Sequence, residues 1–165
     1  MPQPSDDARG RAQRALAASG LTHTITEHGP VGSLAEAAAA RGLDPAQILK
    51  TIVVRRAEGD FLFVLVPGGR QISWPRLRRV LGVSRLSLPD KDVARDVTGY
   101  ERGTITPFGS LHAWPVVADA RVVGAGDVSI GAGAHGVAAT VDADALLGAL
   151  GAQVADVTDA DPSGG

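Results

Sequence analysis

Two apolar runs, Thr51-Ile52-Val53-Val54 and Phe61-Leu62-Phe63-Val64-Leu65-Val66, flank Ala57-Glu58-Gly59-Asp60, and this arrangement constrains the chain more than any other feature. β-Branched and aromatic residues on both sides of a Gly/Asp turn predict a hairpin, with strands over about 51–56 and 61–66 and a stop at Pro67-Gly68-Gly69. Later apolar pieces at 113–117, 121–124, 127–130 and 137–141 are equally short and are separated by Gly or Asp. Short strands with tight turns predict an α+β chain. Its curved, mostly antiparallel, partly barrel-like mixed sheet is flanked by short helices rather than built from alternating βαβ units.

Helix signals surround these strands. Ser5 can cap a helix over about 6–19 whose apolar face is Ala8, Ala12, Ala15 and Leu16, with Gly20 as its stop. The alternation from Leu21 to His28 then predicts a partly exposed strand. Ser33 and Glu36 have capping-box spacing for a helix ended by Gly42, and Asp44-Pro45-Ala46-Gln47 starts a single turn that delivers the chain to Lys50. Leu77, Val80 and Leu81 share one face of a basic helix over 75–81, another helix covers about 90–97, and Asp142 caps a last one to about Gly148.

With 165 residues, one domain over residues 1–155 is expected, followed by a disordered tail over 156–165. Only 4% of the chain is aromatic, so Ala, Val, Leu and Ile must fill the core around Phe61, Phe63, Phe108, Trp74 and Trp114. The absence of cysteine excludes disulfides, thiol nucleophiles and cysteine zinc sites. No basic start precedes an apolar run, and no stretch approaches the roughly 20 apolar residues of a membrane span, so a cytoplasmic protein is expected.

The net charge of -2 argues against indiscriminate nucleic-acid binding, but it hides a segregation. Residues 50–102 carry eleven Lys or Arg against six acids, whereas residues 103–165 carry one arginine against seven acids. Arg70, Arg76, Arg78, Arg79, Arg85, Lys91, Arg95 and Arg102 are thus a candidate patch for steering a polyanion.

Chemistry-bearing residues are few. Gly131-Ala132-Gly133-Ala134-His135-Gly136 has the spelling of a dinucleotide loop, but a strand-like run, Val137 to Val141, follows where a helix is required. No nucleotide cofactor is expected there. His23, His28, His112 and His135 lack metal-ligand spacing, so no metal is expected, and no serine sits in a Gly-x-Ser-x-Gly elbow. What remains is Gly103-Thr104-Ile105-Thr106-Pro107-Phe108-Gly109, a bend that exposes backbone amides, and Lys50 at the mouth of the first strand. Each alone is commonly a turn or a solvated lysine. Together they suggest a cradle for a phosphate or a developing oxyanion.

The segments around them resemble the YbaK and prolyl-tRNA-synthetase-associated editing-domain family. Gln47 to Val54 is similar to its lysine strand and Thr98 to Gly109 to its Gly-x-x-x-Pro loop. Val116-Val117-Ala118-Asp119 and Val128-Ser129-Ile130-Gly131 through Gly136 match its later segments, so the likeness covers about residues 12–150. The resemblance implies a trans-acting deacylase for mischarged tRNA, typically tRNA for proline, that uses a ribose hydroxyl of the substrate in place of a protein base. Lys50 would hold the terminal adenosine's phosphate or the ester region, and the backbone from Gly103 to Pro107 would donate to the carbonyl. Thr51, Thr104, Ile105, Thr106, Pro107, Phe108, Gly109, Asp119, Ser129, Gly131, His135 and Gly136 are the implied substrate-binding set, with Thr104, Ile105 and Thr106 candidates for selectivity. Thr51 is similar to the cysteine-directed and related branches; the amino acid stays open among Cys, Ala, Ser and Thr. The implied partners are the aminoacylated end of tRNA and prolyl-tRNA synthetase, without DNA or a membrane. A non-catalytic tRNA- or synthetase-binding module and a hydrolase of free aminoacyl esters are the competing readings.

Overall fold

The structure, a computed structural model, describes residues 4–162, with side chains from residue 7 onward. Helix α1 (Pro4–Ala18) starts just before the expected cap at Ser5, whose side chain lies outside the description, and it buries Ala8, Ala12 and Leu16 as their spacing predicts. Strand β1 (His23–Glu27) follows, then α2 (Leu34–Arg41). At the start of α2 the Glu36 amide donates to Ser33 Oγ, while Glu36 Oε2 accepts from the Gly32 amide, one residue earlier than a standard capping box. A 3-10 turn (Pro45–Gln47) is closed by the Asp44 amide donating to Gln47 Oε1, and leads into β2 (Leu49–Ala57).

The predicted hairpin is β2 with β3 (Asp60–Pro67), antiparallel and in register from Leu49 opposite Pro67 to Arg55 opposite Phe61. Apart from Asp60 at its start, β3 is buried on both faces. Phe61, Phe63 and Leu65 enter one core with α1, Tyr100 and Ile130, while Leu62, Val64 and Val66 enter a second with Leu77 and Val157. An all-apolar run, rather than an alternating one, is what such a doubly covered strand requires. Strands β4 (Arg70–Ile72), β5 (Val116–Asp119), β6 (Asp127–Gly131), β7 (Val137–Asp142), β8 (Gln153–Ala155) and β9 (Thr158–Ala160) complete the set. Helices α3 (Trp74–Leu81), α4 (Lys91–Thr98) and α5 (Ala143–Leu150) intervene.

One sheet has the order β1-β7-β6, all antiparallel; a second has the order β2-β3-β5-β8, in which β3/β5 and β5/β8 are parallel. A single parallel bridge between Ile48 and Ser129 links the two into a curved, unclosed wall. This is the expected α+β, partly barrel-like architecture. No described helix is long and apolar enough to cross a membrane.

Two local expectations are corrected. Residues 121–124 are not a strand: Asp119 Oδ2 accepts from the Arg121 amide and tightens Ala120–Val122 into a 3-10 turn. The stretch expected to be disordered contains β9, which pairs antiparallel with β4, and Val157 is fully buried; residues 163–165 lie outside the described residues. Arg70 donates to Thr158 Oγ1 and O, and Arg76 pairs with Asp159. The acidic tail is thus held by two arginines of the supposed steering patch.

Candidate active site

The lysine strand and the glycine loop converge. β2 is an edge strand of its sheet, so residues from both its faces reach the space beside it. A cavity of about 350 Å³ opens there, with Lys50, Thr51 and Ile52 on one side, Arg102, Gly103 and Ile105 on the other, and Gly131 and Arg41 closing it. The Lys50 side chain is exposed and makes no hydrogen bond or ion pair among the described residues. Thr51 Oγ1 is buried without a hydrogen-bond partner.

The loop is built to hold amides in place. Gly103 has φ 90°, a conformation that side-chain-bearing residues rarely adopt. The Thr104 amide is used internally, donating to Glu101 O at 2.9 Å, and Thr104 O accepts from the Gly133 amide at 3.1 Å. By contrast the amides of Gly103 and Ile105, both at the cavity, donate to no acceptor among the described residues. Gly131 permits the close approach: a Cβ there would lie 2.9 Å from Ile105 O.

Both ends of the loop are tied to α1. Arg11 Nη2 donates to Gly99 O at 2.6 Å and Nε to Gly109 O at 3.2 Å, with the guanidinium 5.0 Å from the centre of the Tyr100 ring. Tyr100, fully buried, donates from its hydroxyl to Phe108 O at 2.6 Å. Burial raises its pKa to about 12 despite the opposing charge of Arg11.

The remaining expected site residues lie elsewhere. Thr104 and Thr106 are buried, the first donating to Glu101 O and the second accepting from the Phe108 amide, so of the three loop side chains only Ile105 meets the cavity. Pro107 lines a separate hollow beside Trp114, and Phe108 belongs to the core. Gly109 and Gly136 have positive φ and serve as turns. Asp119 is fully buried and accepts from the amides of Arg121 and Val157, a structural anchor for the tail. Ser129 sits behind the cavity, accepting from Arg41. His135 is exposed, 3.5 Å from Glu101, with its ring against the Gly103 loop, where a Cβ on Gly103 would lie 3.5 Å from it, and the glycine-rich stretch around it is the β6–β7 hairpin connection.

Arg41 was not among the expected site residues. As the last residue of an alanine-rich helix it has an ordinary reason to be a cation. Only the fold shows it beside Lys50.

A sequence profile of the family described as "Aminoacyl-tRNA editing domain" matches residues 28–149. The chain belongs to this family. Among curated proteins, the editing domain resembles the proline–tRNA ligase of Syntrophotalea carbinolica, 35% identical over 103 residues, covering 62% of this chain and 18% of that protein. It also resembles the ligase of Desulforamulus reducens, 32% identical over 91 residues, covering 55% and 16%. The chain therefore spans less than a fifth of these relatives. A crystal structure described as a candidate trans-editing enzyme for prolyl-tRNA synthetase is 26% identical, with TM-score 0.83, over 96% of this chain and 99% of that one. The crystal structure of a hypothetical protein matches with TM-score 0.82 at 26% identity, over 90% and 99%. The YbaK-like resemblance and the editing-domain fold both stand.

Proposed function

We propose that this editing domain acts in trans as an aminoacyl-tRNA deacylase. It hydrolyses the ester joining a small wrong amino acid to the terminal ribose of tRNA for proline. The observation that carries this reading is the content of one cavity: an unpaired ammonium, two amides without acceptors and no Asp, Glu or His side chain among its lining residues. Such a set binds and polarises but supplies neither a general base nor a nucleophile activated by one. An activated ester suits it, because hydrolysis then needs a positioned water and an oxyanion stabiliser, with a ribose hydroxyl of the substrate serving as base.

Lys50 holds the ester region or the adjacent phosphate, and the Gly103 and Ile105 amides face the carbonyl oxygen. One such donor contributes roughly 3 kcal/mol in the transition state. Ile105 and Thr51 set which amino acid fits. A second, size-restricted site is physically required because binding alone separates side chains differing by one methylene by only about 1–3 kcal/mol. The likeness to two proline–tRNA ligases supports tRNA for proline as substrate, prolyl-tRNA synthetase as partner and the cytoplasm as location.

The test is a panel of tRNAs charged with Cys, Ala, Ser and Thr. Release of at least one is expected, with a loss of about 100-fold or more in Lys50→Ala. No release from any member, or unchanged release by Lys50→Ala, overturns the proposal. Tight tRNA binding without turnover would instead make the chain a binding module.

A further inference from the structure

Arg41 has surroundings that its place at a helix end does not explain. Its side chain is half-buried, and burial lowers its pKa from the ordinary arginine value. Buried charges are normally paired with an opposite charge. No carboxylate lies within ion-pair distance of Arg41 among the described residues. Two neutral acceptors hold it instead: Nε donates to His28 Nε2 at 3.2 Å and Nη1 to Ser129 Oγ at 3.1 Å.

These anchors are themselves fixed. His28 Nδ1 lies 2.8 Å from Gly29 O, which can only accept, so the hydrogen-bond pattern assigns the proton to Nδ1 and leaves the Nε2 lone pair for Arg41. Ser129 is fully buried on β6. The guanidinium plane is thus set from β6 and from the segment after β1, while Nη2 has no acceptor among the described residues and the group lines the Lys50 cavity. With Arg102 at the rim, three cations surround a space that no acidic side chain lines.

The substrate of the proposed deacylase, on which this inference rests, narrows what such a site can take. Its carboxyl is esterified and its amine is protonated, so the aminoacyl group offers no anion. A phosphodiester does, and it matches the forked donors of a guanidinium. We propose that Arg41 is a phosphate-binding residue of the cavity, gripping the phosphodiester that joins the terminal adenosine to the nucleotide before it. Lys50 is then free for the ester.

The decisive comparison uses two minimal substrates, an aminoacyl-adenosine without phosphate and the aminoacylated dinucleotide CpA with one. In Arg41→Met the kcat/KM ratio of dinucleotide to nucleoside should fall about tenfold or more, with Arg41→Lys intermediate. Equal loss on both substrates would make Arg41 merely structural and overturn the proposal. A second measurement does not require hydrolysis: NMR titration with uncharged CpA and with adenosine. The wild type should prefer CpA and Arg41→Met should lose that preference; no preference in the wild type overturns the assignment. Preference for CpA without hydrolysis of either ester would remove the deacylase reading and leave the phosphate site standing. If Arg41→Met does not fold, Arg41→Gln and Arg41→Lys carry the same comparisons.

Discussion

Replacing Thr51 by valine should make this protein more stable without impairing the activity proposed for it. Thr51 Oγ1 is buried with no hydrogen-bond partner, and a hydroxyl in that state costs roughly 1–3 kcal/mol. Valine keeps the branched shape, sets a methyl in place of the hydroxyl and suits a strand at least as well. Its neighbours on the same strand face are Leu49 and Val53, both buried, and Leu65 lies opposite across the hairpin, so the new methyl meets apolar surface. Taking the lower half of the range, Thr51→Val should gain about 1–2 kcal/mol, or about 2–8 °C in Tm for a chain of this length. Urea unfolding is the assay, with the midpoint rising at constant slope. The same substitution should leave kcat/KM for deacylation about unchanged, because an oxygen closed off from solvent offers no bond to the substrate. Lower stability in Thr51→Val would refute the first step. Higher stability with activity lost would refute the second.

Tyr100 is the only tyrosine, so tyrosinate absorbance reports it alone. Its folded pKa of about 12 lies above the unfolded value of about 10, so the folded state holds the proton more tightly. This contribution to stability should be complete below about pH 10 and decline as the pH rises toward 12; titration of the native protein at the ordinary tyrosine pKa would contradict it. Gly131→Ala places a methyl 2.9 Å from Ile105 O and must displace the loop, so activity should fall about tenfold or more while unfolding free energy falls by about 1–3 kcal/mol. Arg76→Ala removes the ion pair to Asp159 and the bond to Thr158 O, and should cost about 1 kcal/mol and speed hydrogen exchange in β4 and β9.

Local chemistry made much of this fold legible. The hairpin, the Ser33 and Asp44 starts and the glycine stops each carry their cause within a few residues. The three-residue strands β4, β8 and β9 do not. Arg70-Gln71-Ile72 and Thr158-Asp159-Ala160 have no strand periodicity, and they pair because Arg70 and Arg76 reach the tail from 82 or more residues away. The cavity was legible in its two halves, Lys50 with Thr51 and Gly103 with Ile105, because a lysine and a bend can be read from residue type. Which loop side chains face inward was not, since Thr104 and Thr106 turn into the protein through hydrogen bonds to backbone partners. Arg41 was invisible for the opposite reason: a helix-end cation needs no further explanation until the fold shows no carboxylate beside it.

Arg11 belongs to α1, upstream of the stretch matched by the family profile, yet it grips both feet of the glycine loop at Gly99 and Gly109. Excising residues 28–149 would carry away the lysine and the loop but leave behind the brace that sets their spacing. The smallest transplantable form of the Lys50 cavity in this chain therefore begins at its first helix, and any graft onto another protein must bring that helix or replace its grip.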